Sequence, residues 1–102
     1  MLLLLLSVAW SADLQAGKAT YEANCTACHG MLADGAGPAA IAFDPKPVDF
    51  TKPTWWATRT DADVASAIRA GKPGTAMTAF SQLSEAQVID LVAWLRTRAN
   101  VP

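Results

Sequence analysis

The chain is poor in the side chains that bind soft metals. Of 102 residues, two are cysteine and one is histidine. A structural zinc site takes four protein ligands, and beyond these three the sequence has no further cysteine or histidine to offer. Charge of one sign is lacking too. Eight basic residues against nine acidic ones leave a formal net charge of −1. The lysines at 18, 46, 52 and 72 are scattered, so no basic stripe points to nucleic acid. So weak a field says little about the charge of a protein partner. No strand-like alternation and no internal repeat stand out. With 52% apolar and 17% charged residues, the composition is that of one compact domain and not of a disordered chain. A domain this small buries only roughly 60–65% of its unfolded surface. It gains from a disulfide, a metal or a large apolar group as added core.

Only one long apolar run is present, "MLLLLLSVAW" at the start. It is about half the ~20 residues a membrane span needs. With "SAD" after it, the run reads as the apolar region of a secretory leader over residues 1–11. Ala9 and Ser11 suit the −3 and −1 positions of a cleavage site, and residues 12–102 form the domain. The reading is a leader that is cleaved to release a soluble domain; because the usual positive start is missing, a start further upstream or a retained anchor is the alternative. Export to the periplasm suits cysteines used covalently outside a reducing cytosol.

Three helices are predicted, joined by long loops. Asp13 can cap a helix from Leu14 to about Ala27, with Leu14, Gly17 and Tyr21 on one face. Gly17 costs such a helix about 1 kcal/mol against alanine, which makes sense if something packs closely there. "GMLADGAGPAAIAFDPKPVDFTKPT" is rich in proline and glycine and reads as loop, with one short turn over 39–43. Thr60 and Asp63 resemble a capping box opening a second helix that Gly71 stops. Ser84 and Gln87 form another, with Leu83 and Val88 as a hydrophobic staple. Behind it Val88, Leu91, Val92, Leu95 and Ala99 follow helical spacing. The fold class is all-α.

Both cysteines and the histidine fall within "NCTACHG", residues 24–30. Cys-x-x-Cys-His is the spacing of c-type haem attachment. Two cysteines three apart lie on one side of a helical turn, where each thiol can add across one vinyl group at the porphyrin edge. The next histidine then sits over the ring and reaches the iron. The rival readings are a redox dithiol, which belongs in a βαβ context, and a Cys25–Cys28 disulfide, which would staple only a tiny loop. His29 offers one axial ligand. For the other, Met77 lies in the loop before the last helix, where the chain can fold over the ring. Met31 stands too near His29 to cross to the far face. Met/His ligation raises the reduction potential. A vacant position or a lysine ligand remains the alternative, and the plain reading of Met77 is a flexible core side chain.

Over residues 13 to 99 the chain resembles a small bacterial class I cytochrome c. "GKATYEANCTACHG" resembles the first helix and haem motif, "GTAMTAF" the methionine loop with Thr78 where proline is common, and "LSEAQVIDLVAWLR" the final helix. The resemblance implies a close crossing of the first and last helices with Gly17, Tyr21 and Trp94 at the contact. It implies that the carbonyl of Pro38, in "GAGP", accepts a hydrogen bond from His29, and that Trp55, Trp56 or Arg59 stands near a haem propionate. The expected cofactor set is therefore one haem held by Cys25 and Cys28, with His29 and Met77 on the iron and Pro38 and Trp55 beside it. The function implied is a one-electron carrier between redox partners, such as a membrane reductase or dehydrogenase and an oxidase or other acceptor. Two alternatives stand beside it. One is a haem subunit fixed to a larger oxidoreductase, which an apolar patch around Trp55 and Trp56 would favour. The other is a ligand-binding haem protein with an open iron.

Overall fold

A computed structural model describes residues 11–102. The leader expected over residues 1–11 therefore lies, apart from Ser11, outside the described residues. These fold into five helices: α1 (Leu14–Asn24), α2 (Thr26–His29), α3 (Pro53–Trp56), α4 (Asp61–Ala70) and α5 (Glu85–Thr97). A 3₁₀ turn spans Ala40–Ala42. Among the described residues there is no strand, and no helix is long and apolar enough to cross a membrane.

The helix ends are chemically marked. The Asp13 carboxylate accepts the Ala16 amide at 3.0 Å and caps α1. The two capping boxes form as expected, Thr60 with Asp63 on α4 and Ser84 with Gln87 on α5. Gly71 ends α4 at φ +74°, a conformation that glycine adopts without strain.

The first helix is interrupted, where the sequence predicted continuity to about Ala27. At Cys25 φ reaches −119°, far from the helical value near −63°. The Thr26 hydroxyl donates to the Glu22 carbonyl at 3.4 Å, the carbonyl that an unbroken helix would pair with the Thr26 amide. Side-chain competition of this kind opens a helix locally. The chain then re-forms one helical turn, α2, that carries Cys28 and His29.

α1 packs most extensively on α5. At the crossing a Cβ on Gly17 would run into the backbone of Asp90 and the Cβ of Trp94. Only glycine lets the two helices come this close. The Asp13 amide donates to the Asp90 carboxylate at 2.9 Å and closes the same contact from the end of α1. Tyr21 is fully buried, and its ring lies 4.8 Å from that of Trp94. Val88, Leu91 and Leu95 complete the core beneath them. α4 meets α5 through an ion pair between Asp61 and Arg96, and the Arg96 guanidinium lies 4.8 Å over the Trp56 ring.

Gly17→Ala would force the helices apart, because the obstacle is backbone that cannot swing aside. The expected loss of stability is about 3 kcal/mol, the upper end for overpacking, read from the denaturant midpoint of the folded protein. An unchanged midpoint would mean that the crossing does not depend on this residue.

Candidate functional site

The Cys-x-x-Cys-His segment is held by the loop that follows it. The Gly35 amide donates to the His29 carbonyl at 2.8 Å, that of Gly37 to Cys28 at 3.1 Å, and that of Ala39 to Ala27 at 2.9 Å. The Gly30 carbonyl accepts the buried Tyr21 hydroxyl. The carbonyls that end a helix without partners are thus satisfied one after another. At Gly37 a Cβ would collide with the backbone of Ala27 and Cys28, so glycine is needed for this clasp.

Cys25, Cys28 and His29 all line one cavity of about 330 Å³. That volume falls in the range of small-molecule and cofactor sites. Apolar side chains dominate its wall, among them Val64 and Ile68 of α4, Phe50 and Phe80. Both cysteines are free thiols and half-buried. Burial, and then the neighbouring Cys28, push the Cys25 thiol up to about 11. Redox dithiols show the opposite, a lowered value that exposes thiolate. Among the described residues no group of three or more His, Cys, Asp or Glu side chains is placed to hold a metal ion by itself.

His29 is oriented from two sides. Its Nδ1 lies 3.1 Å from the Val48 carbonyl. A carbonyl only accepts, so Nδ1 carries the proton and Nε2 keeps its lone pair for a metal. Desolvation lowers the affinity of the ring for a second proton, against the smaller opposing effect of the Val48 bond. The Phe50 ring packs 4.8 Å from the imidazole at 37°. The expectation for Pro38 is corrected here: the carbonyl facing the ring nitrogen is that of Val48, and Pro38 is not part of the cavity wall. The loop 47–50 is folded in beneath the histidine and takes that place.

Met77 reaches the same cavity from the loop after α4. This loop is folded back on its helix. The Lys72 amide donates to the Met77 carbonyl at 3.0 Å, the Phe80 amide to Ile68 at 2.8 Å, and the Met77 amide to the Thr75 hydroxyl at 3.1 Å. Met31, by contrast, is 86% exposed and not part of the cavity wall.

The adjacent tryptophans part company. Trp56 is buried and donates its indole N–H to the Phe50 carbonyl at 3.0 Å, a core role. Trp55 lines the cavity, with the Arg59 guanidinium 4.4 Å over its ring. Arg59 is held there by a 2.9 Å bond to the Trp55 carbonyl. Neither tryptophan is among the exposed large apolar side chains. Lys46 also lines the cavity while its ammonium donates to the Ala40 and Ile41 carbonyls.

Sequence reasoning missed Val48, Phe50 and Gly35. A carbonyl acceptor has no side-chain signature. The nearest clue was "DFT", where the Asp49 carboxylate accepts both the amide and the hydroxyl of Thr51, at 2.9 and 2.5 Å, and fastens the segment.

The thiols of Cys25 and Cys28, the His29 imidazole and the Met77 thioether thus all line one largely apolar cavity of a helical protein. A family model for cytochrome c matches residues 14–99, and the chain belongs to that family. It is a small monohaem cytochrome c, and membership implies a covalent haem c and a role in electron transfer. Among solved structures, a chain of the reducing HAO-like protein complex Kustc0457/Kustc0458 of Kuenenia stuttgartiensis superposes with a TM-score of 0.73 at 26% identity, over 91% of this chain. This chain spans only 45% of the length of that one. The KustC0563 c-type cytochrome superposes with a TM-score of 0.64 at 25% identity, over 80% of this chain and 95% of its own. A comparison with curated proteins gives no match.

The bonds from Thr51 hold the Asp49 carboxyl below the usual aspartate range, helped by Lys52. A lowered native value contributes stability above the ordinary value of about 4 and loses it as pH falls through the lowered one. Asp49→Asn should therefore be less stable than the parent at neutral pH, with the gap closing in acid. Thermal melts of both proteins between neutral pH and pH 3 check this; a gap constant with pH would overturn it.

Proposed function

We propose that the protein is a one-electron carrier whose single haem c is held by thioether bonds from Cys25 and Cys28 and ligated by His29 and Met77. The observation that carries this reading is that all four side chains line one apolar cavity although Met77 comes from the far half of the chain. The donor set fits the group. Two thiols on one short segment suit its edge, the Nε2 lone pair of His29 is free to ligate, and the thioether of Met77 is soft. When bound, haem supplies an iron that gains and loses one electron. The chain's own residues do the rest. Val48 and Phe50 hold the imidazole, the folded-back loop presents Met77, and the apolar wall excludes water. Trp55 and Arg59 would stand beside the haem, with the guanidinium available to an acidic side group.

An iron ligated on both sides leaves no position for a substrate, which suits transfer to transient redox partners such as a membrane reductase or dehydrogenase and an oxidase. We place this exchange in the periplasm, on the strength of the apolar start of the chain and the covalent use of its cysteines. A second reading, a haem subunit of a larger oxidoreductase, draws on two observations. One structural neighbour is part of an HAO-like complex, and Ile41, Met31 and Leu32 are exposed at 87, 86 and 72%.

Absorption spectra of the purified holoprotein test the first reading. The oxidised form should show a methionine-to-iron band, and the reduced form should not respond to carbon monoxide. Met77→Ala should lose the band and bind carbon monoxide. A parent protein that already binds carbon monoxide would replace the carrier with an open-site haem protein. A monomer on size exclusion would count against the fixed-subunit reading.

A further inference from the structure

Gly35 is linked to His29 directly at the backbone and, through Val48, at the imidazole. Its amide donates to the His29 backbone carbonyl at 2.8 Å. Its α-carbon also lies against the chain that accepts from the imidazole. A Cβ built on Gly35 would stand 2.7 Å from the Pro47 carbonyl oxygen and 3.2 Å from that of Val48. The first distance is shorter than real Cβ contacts allow, and the obstacle is backbone. The position also has φ +83°, which L side chains rarely adopt.

The Val48 carbonyl cannot easily drift from another cause. Two residues on, the Phe50 amide donates to Ala33 at 2.8 Å and the Phe50 carbonyl accepts from the Trp56 indole at 3.0 Å. The segment is thus pinned behind Val48 and abuts Gly35 in front of it. What the absent side chain at 35 leaves open is the space that lets this carbonyl sit 3.1 Å from Nδ1.

We propose that Gly35 is the positioning residue for His29: by letting the Val48 carbonyl approach, it sets the orientation and basicity of the imidazole. The inference rests on the reading that His29 ligates the haem iron. An acceptor on the outer ring nitrogen makes a ligating imidazole a stronger donor. A stronger donor favours the oxidised iron, so moving Val48 away favours the reduced one. Losses of such partners typically cost about 10–100-fold in metal affinity or activity.

The test uses the full-length holoprotein as parent, Gly35→Ala and Gly35→Asn. Asparagine tolerates positive φ far better than alanine, yet carries the same Cβ. Val88→Ala serves as a destabilised control that leaves the histidine untouched. The reduction potential and the nitrogen NMR of reduced, ¹⁵N-histidine-labelled protein are read for each. In the parent, Nε2 should be iron-bound and the Nδ1 proton slow to exchange. Both Gly35 variants should exchange that proton faster. Both should raise the reduced-to-oxidised ratio at fixed ambient potential by about tenfold, about 59 mV for one electron. Val88→Ala should change neither. An ester in place of the Val48–Asp49 amide weakens the carbonyl as an acceptor without touching Gly35, and should give the same shift even if the Gly35 variants fail to fold. Gly35 variants and an ester that match the parent would overturn the proposal and leave His29 ligation standing. So would recovery in Gly35→Asn, which would assign the effect to backbone strain. A parent in which Nε2 is not iron-bound would overturn both.

Discussion

The close approach of α1 to the backbone of Asp90 at Gly17 governs where everything else can lie. It fixes the axis of α1 against α5, and with it the exit of the chain toward Cys25. Tyr21, one turn beyond Gly17, can then be buried against Trp94 and still reach the Gly30 carbonyl with its hydroxyl. That bond carries the register of the crossing into the segment that ends the attachment motif. A shift of α1 along α5 would move the cysteines relative to α4, which lines the same cavity and also packs on α5.

The stretch 30–52 has almost no regular structure, yet it is ordered by backbone bonds that run to the motif instead of along itself. Three amides from 35, 37 and 39 serve the carbonyls of three successive residues of the motif. The Phe50 amide returns to Ala33, so the loop closes on its own beginning. This arrangement satisfies the polar backbone groups near the cavity with backbone bonds instead of water. Glycine at 35 and 37 is the requirement that follows, since each amide must come within bonding distance of crowded backbone.

Much of this was legible because the signals are local. Ser84 with Gln87 and Thr60 with Asp63 mark helix starts through bonds only three residues long. Cys25, Cys28 and His29 carry their chemistry in their spacing. The break at Cys25 was not legible, since it turns on whether a threonine hydroxyl wins a carbonyl from an amide. The acceptor for His29 was assigned by resemblance to Pro38, but nineteen residues and a folded loop separate His29 from Val48. Trp55 and Trp56 could not be told apart by neighbourhood alone. One helical turn, α3, points adjacent side chains about 100° apart, sending one to the cavity and the other to the core.

The cavity also has an order of assembly written into it. Its thiols and imidazole lie within five residues of chain, next to α1, so they are close to one another whatever the rest of the molecule does. The wall bearing Met77 and Phe80 exists only after α4 has formed and the loop behind it has folded back. Contacts of such long sequence separation form late, because loop closure must be met before they contribute. The anchor is therefore local and the lid is remote.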